Sequence, residues 1–156
     1  MLTEIEDSVA LMSPVYYPFA NAIRDTSRTL VDVPLVKDEN GYYTMDLESF
    51  EAMVQKKDVK LFILCSPHNP VGRVWREEEL RDLLDVCRRN GVYVIADEIH
   101  HDLIMPGHRQ ITAATAGDYD SILITLTSAS KTFNLASCQN AMAIIPNDAL
   151  RAKYDA

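Results

Sequence analysis

Cysteine is scarce: Cys65, Cys87 and Cys138 are the only three in 156 residues, widely spaced and without a CxxC pair. An odd, scattered set argues against a disulfide framework and against a zinc site. It reads instead as small buried apolar side chains in a protein of the reducing cytoplasm. No apolar run approaches the ~18–20 residues that a membrane span needs. The opening MLTEIEDSVALM is acidic and lacks the apolar core of a cleaved secretory signal. Basic runs are missing as well. The chain sets 15 Lys and Arg against 23 Asp and Glu, and a net charge of -8 opposes binding to nucleic-acid phosphates. There is no internal repeat, no low-complexity linker and no GxxxxGK[ST] phosphate loop.

With hydrophobic residues at 47% and charged residues at 24%, the chain has the composition of a soluble globular protein long enough for one domain with a true core. Apolar runs alternate with amphipathic stretches, the pattern of an α/β domain. Strands are expected at 8–12, 29–36, 60–65, 92–96, 121–126 and 140–145. Helices are expected at 17–26, at about 46–56 with Asp46 as the cap, at 77–89 and at 148–154, and Asn40-Gly41 marks a turn. The 77–89 segment is strongly amphipathic, with Leu80, Leu83, Leu84 and Cys87 on one face and Asn90-Gly91 as a left-handed stop. After Lys60, the run through Cys65 is continuously apolar, as in a strand covered on both faces. The fold class that follows is α/β, three-layered, with a mostly parallel sheet and helices on both faces.

Asn69, Asp97 and Lys131 each lie just past the carboxyl end of an expected strand. Open parallel sheets bind ligands at that edge, and three polar groups converging there make a candidate site. Asp97 leaves a buried apolar strand, where a carboxylate is costly unless it is paired. Lys131 sits in a Ser/Thr-rich loop at a strand end, beside apolar Phe133. A lysine to hold an aldehyde, and an acid to keep a pyridine nitrogen protonated, are the groups pyridoxal 5'-phosphate (PLP) requires of a protein. Taken one at a time, Lys131 is an ordinary surface lysine and Asp97 a helix cap or salt-bridge partner; their shared position favours the cofactor reading.

The segments SPVYYPF at 13–19, SPHNPVGR at 66–73, ADEIHHDL at 96–103 and SASKTFNLA at 128–136 resemble the fold-type I PLP enzymes, the aspartate-aminotransferase superfamily. The order NPxG, DExH, SxSK, each after a strand, is specific, and DEIH followed by SKTFNLA is similar to the cystathionine β-lyase (C-S lyase) branch of the class I/II aminotransferases. The resemblance implies that Tyr16 stacks on the cofactor ring, Asn69 donates to its phenolic oxygen, and Asp97 pairs with its pyridine nitrogen. It further implies that Lys131 is the Schiff-base lysine and that Ser128, with Ser130 the weaker candidate, binds the phosphate. His100 stands where most aminotransferases have a tyrosine, an exchange that leans toward the lyase branch. Gln139 stands where many have a phosphate-binding arginine, and Arg73 is given no catalytic role.

By the same resemblance, the substrate is an amino acid, a sulfur-containing one in the lyase branch, and the assembly is a homodimer. Family members are longer, so the chain reads as part of the PLP-binding large domain, without the N-terminal segment and the C-terminal small domain. A piece of that kind is expected to bind PLP weakly and to turn over little. Four other readings compete. A class I/II aminotransferase would use the same groups, and a non-catalytic, oligomerising remnant would use none. The DEIH at 97–100 also resembles the DExH of nucleotide triphosphatases, with Ser128-Ala129-Ser130 echoing a helicase motif, but that reading requires the missing phosphate loop. A metal site from His100, His101, Asp102 and His108 is disfavoured, because an adjacent His pair on a strand points to opposite sides.

Overall fold

The computed structural model describes residues 1–156. In chain order the elements are β1 (Ser8–Leu11), α1 (Tyr17–Asp25), β2 (Thr29–Asp32), β3 (Val36–Lys37), β4 (Tyr43–Thr44), α2 (Leu47–Lys57), β5 (Val59–Cys65), α3 (Glu77–Arg89), β6 (Tyr93–Asp97), β7 (Leu123–Thr127), β8 (Met142–Ile144) and α4 (Asp148–Asp155). Six strands form one sheet in the order β2-β1-β5-β6-β7-β8, and β3 pairs only with β4. All contacts in the large sheet are parallel except β7 with β8. No helix is long and apolar enough to cross a membrane.

Side-chain alternation divides the core. Ala10, Phe62, Leu64, Val94, Ala96 and Leu123 point to the face covered by α2 and α3, where they join Phe50, Val54, Leu80, Leu83 and Leu84. Val9, Leu11 and Leu61 point the other way and meet Ile23 of α1, while Ile124 meets Leu150 of α4. Helices thus cover both faces, as the continuous apolar run of β5 implies. The α3 stripe is the deepest: Leu80, Leu83, Leu84 and Cys87 are fully buried. Each large aliphatic there contributes about 1.5–3 kcal/mol relative to an exposed position.

Local chemistry sets the boundaries. Asp46 caps α2 by accepting from the Ser49 amide at 3.0 Å, and Asp58 closes it in the left-handed region at φ 49. At the end of α3 it is Gly91, at φ 67, that takes the left-handed conformation, while Asn90 stays at φ -101. The expected strand 29–36 is divided. Pro34 has no amide to give a ladder, so β2 stops at Asp32, although the Val33 and Leu35 amides still bond the Leu11 and Ser13 carbonyls at 3.0 and 2.7 Å. Val36 then turns away into the β3–β4 hairpin, whose bend holds Gly41 at φ 85.

Candidate functional site

Because β5, β6 and β7 run parallel, Cys65, Asp97 and Thr127 end on one edge of the sheet, with Cys65 directly opposite Asp97 in register. The segments that leave this edge enclose a cavity of about 250 Å³. Its lining includes Tyr16, Asn69, Asp97, His100, Ser130 and Lys131, together with Phe19, Cys65, Ile99 and Ala136. Six of the seven residues singled out from the sequence are therefore brought together. The seventh, Ser128, does not line the cavity.

Most of the polar side chains here are uncommitted. Tyr16, Asn69, His100, Ser130 and Lys131 make no side-chain hydrogen bond or ion pair within the chain; of the loop 128–131, only Ser128 uses its side chain internally, donating to the Asn140 carbonyl at 2.7 Å and accepting from the Ser130 amide at 3.0 Å. Ser128 is consequently the brace of the loop that carries Lys131. Asn140, twelve residues further on, completes it, and its own side-chain oxygen lies 3.1 Å from the Ser128 hydroxyl. A second tie runs from the Thr132 hydroxyl to Asp102 at 2.8 Å, joining the Lys131 loop to the loop after β6. Gln139 is exposed and lies outside the cavity lining.

Asp97 is the electrostatic centre. Its carboxylate is partly buried and accepts one hydrogen bond, from the Ile99 amide at 3.1 Å. Desolvation raises its pKa, opposed by the Ile99 hydrogen bond and by the charges of His100 and Lys131. No cation is close enough to form a salt bridge with it, so the carboxylate keeps an open acceptor face toward the cavity.

The neighbouring acid, Glu98, does different work. It is 2% exposed, accepts from the Ala113 amide at 2.7 Å, and has its pKa raised by burial; it anchors the far end of the 99–112 loop. His101 turns back onto the Glu98 carbonyl at 2.8 Å and faces Asp102, and no group of three or more His, Cys, Asp or Glu residues is arranged to hold a metal. His100 and His101 lie in a turn beyond β6, not on a strand, so the strand geometry expected for the pair does not apply.

Four cavity residues carry no signal as isolated letters. Cys65 is the instructive one. Its thiol donates to the Pro67 carbonyl and accepts from the Asn69 amide, both at 3.4 Å, and burial pushes its pKa up to about 11. It is a neutral fastener for the Asn69 loop. The signal that could have found it is register: the last residue of β5 has to face the last residue of β6. Arg73 is a buried structural cation, bound by both Glu79 oxygens at 2.7 and 2.6 Å, with Tyr42 and Trp75 stacked on its guanidinium.

The sequence profile of aminotransferase class I and II matches residues 1–155. The chain belongs to that family. It is 41% identical over 155 residues to cystathionine beta-lyase PatB of Bacillus subtilis, a match covering 99% of this chain and 40% of that protein. The fold is that of cystalysin from Treponema denticola, whose crystal structure contains a pyridoxal 5'-phosphate cofactor: TM-score 0.94, 38% identity, 98% of this chain and 39% of that one. The PLP-bound C-S lyase from Staphylococcus hominis superposes with TM-score 0.93 at 37% identity, covering 99% of this chain and 39% of the other. The chain thus spans about two fifths of the length of these relatives.

Proposed function

We propose that the chain supplies the lysine and aspartate of a PLP-dependent C-S β-lyase acting on a sulfur-containing amino acid. The observation that carries this reading is the convergence of Asp97 and Lys131, both without an ion-pair partner, on one cavity with Tyr16, Asn69 and His100. The residues fit the cofactor by their chemistry. A half-buried carboxylate with an open acceptor face suits a protonated ring nitrogen, a free primary amine suits an aldehyde, and an exposed phenol ring suits an aromatic face. When bound, PLP supplies the electron sink that stabilises negative charge developing at an amino acid's α-carbon.

In this scheme Lys131 Nζ would hold PLP and, as a free amine, would serve as the base for the proton at the substrate's Cα. Asp97 would pair with the ring nitrogen and keep it protonated. Asn69 and His100 would orient the phenolic oxygen, and Tyr16 would cover one ring face. Ser130, which lines the cavity, would meet the phosphate, while Ser128 braces the loop through Asn140. The names of the cystathionine beta-lyase PatB and of the Staphylococcus C-S lyase favour elimination of a thiol, after which hydrolysis of the remaining carbon skeleton would give pyruvate and ammonia. The family profile favours a second outcome on the same residues, transamination, in which the substrate would give up its amino group to the cofactor and leave as an oxo acid. A homodimer is the assembly we infer, supported by exposed Tyr17, Phe133 and Leu135 beside cavity-lining neighbours; the free cysteines suit a reducing cytoplasm.

The test is to titrate the chain with PLP and follow the visible band of lysine-bound cofactor, alongside Lys131→Ala. Lys131 is exposed and unpaired, so the variant should lose the band and keep its unfolding midpoint. A band that persists in the variant would sink the assignment. Assaying thiol and pyruvate against oxo acid, with an S-substituted cysteine as substrate, separates the two outcomes.

A further inference from the structure

His68 stands immediately before Asn69, yet it faces away from the cavity and is only 3% exposed. Its Nε2 lies 3.0 Å from the Pro14 carbonyl oxygen, which belongs to the segment that leads from β1 into Tyr16. A carbonyl can only accept, so the proton sits on Nε2 and the ring donates. The other ring nitrogen, Nδ1, is buried and has no partner. Burial pushes the pKa of His68 down to about 4, so the ring is neutral at physiological pH and carries that single donor.

The rest of the ring is fixed. Trp75 packs edge-on against it at 5.5 Å between centroids, and the Trp75 indole donates to the Cys65 carbonyl at 2.9 Å. The His68 backbone closes its own loop, donating to the Arg73 carbonyl and accepting from the Gly72 amide, both at 2.8 Å. A rigid donor mounted on the Asn69 loop is thereby aimed at the chain that presents Tyr16. A side chain serving only to fill space would not leave one nitrogen orphaned in the interior while satisfying a carbonyl 54 positions away.

We propose that His68 is a positioning residue that locks the Asn69 loop to the Tyr16 segment, so that two groups on separate loops meet the ligand in one geometry. Its consequence for cofactor affinity rests on the PLP reading above; the lock itself does not. Without the bond, the 13–19 segment and the 66–73 loop lose the side-chain hydrogen bond that joins them, and both walls of the cavity move independently.

The experiment compares the wild-type chain with His68→Gln, whose amide nitrogen can reach the place of Nε2, and His68→Leu, which fills volume and donates nothing. Hydrogen exchange is measured without cofactor. In His68→Leu, peptides spanning 13–19 and 66–73 should exchange about tenfold faster, the worth of one buried hydrogen bond, while β6 keeps its protection. His68→Gln should stay within about twofold of wild type. In the PLP titration the dissociation constant should rise ~tenfold in the Leu variant and be restored in the Gln variant. Equal loosening in both variants, or in neither, overturns the lock, as does loss of β6 protection together with the two loops. If the wild-type chain takes up no PLP, the cofactor reading fails, and the exchange comparison still decides the lock.

Discussion

Replacing Asp97 by Asn should move stability and cofactor affinity in opposite directions. Asparagine has the same shape, and its side-chain oxygen can still accept from the Ile99 amide, so the loop after β6 keeps its geometry. What disappears is a partly buried negative charge without an ion-pair partner. Desolvation dominates the upward shift of its pKa, so in the absence of ligand the ionised carboxylate is a cost. Relieving it should stabilise the unliganded chain at pH 7 by on the order of 1 kcal/mol, the usual scale for relief at a functional site.

The pH dependence fixes the sign. A carboxylate whose native pKa lies above its unfolded value of ~3.9 binds more protons when folded, so stability falls as pH rises from the unfolded value through the native one. Below both values the acid is protonated in either state, and wild type and variant should differ little. Above both, the full difference appears. With PLP the order reverses: a charge-assisted hydrogen bond to the ring nitrogen is worth about 1.5–3 kcal/mol, so Asp97→Asn should weaken binding roughly 10- to 150-fold. Urea unfolding of both proteins across pH 3 to 8, with a PLP titration at pH 7, reads both quantities. A variant that is less stable at pH 7 would show that Asp97 has a partner that the structure does not reveal. Unchanged affinity would show that it does not meet the cofactor.

Other outcomes follow from the same contacts. Ser128→Ala removes the donor to Asn140 and leaves the Ser130 amide unsatisfied in a buried setting, so it should cost about 1–3 kcal/mol and speed hydrogen exchange at 128–135. Glu98→Ala strips the acceptor from the Ala113 amide and should destabilise by a similar ~1–3 kcal/mol, with Glu98→Gln recovering most of it in denaturant melts. Leu84→Ala, at a fully buried position of α3, should cost about 2–5 kcal/mol in the same melts without a direct effect on the cavity.

The legible part of this fold is the part governed by periodicity. The continuous apolar runs at 60–65 and 92–96 can be satisfied only by strands covered on both faces, and the polar residues that follow them must then lie at one edge. Several boundaries differ from expectation by a residue or two, because a hydrogen-bonded ladder ends where its partner strand ends, and that is not written locally. The break at Pro34 is visible as a letter, but its effect depends on β1 and the residues after it continuing to accept from Val33 and Leu35. For Ser128 the sequence offers a serine three positions before the lysine, which suits a phosphate. It cannot show that the hydroxyl is taken by Asn140. Hydrogen bonds between distant loops have no period, so His68 and Pro14 are equally silent.

The division of labour at the sheet edge follows from this. Residues that brace the edge from within the chain (Ser128, Glu98 and, through Nε2, His68) spend their polar groups mostly on backbone of the surrounding loops, as does Cys65 at the cavity wall. The other polar residues of the cavity (Tyr16, Asn69, His100, Ser130 and Lys131) have their side chains unused, and Asp97 has one oxygen bonded and its charge unanswered. An edge of this kind is stable only because the first set holds the second in place. Substitutions in the first set should therefore appear in melts and hydrogen exchange before they appear in ligand binding, and substitutions in the second set should do the reverse. A cavity residue whose removal destabilised the chain as much as the loss of Ser128 would break that division and would point to an internal contact at the cavity that the geometry does not contain.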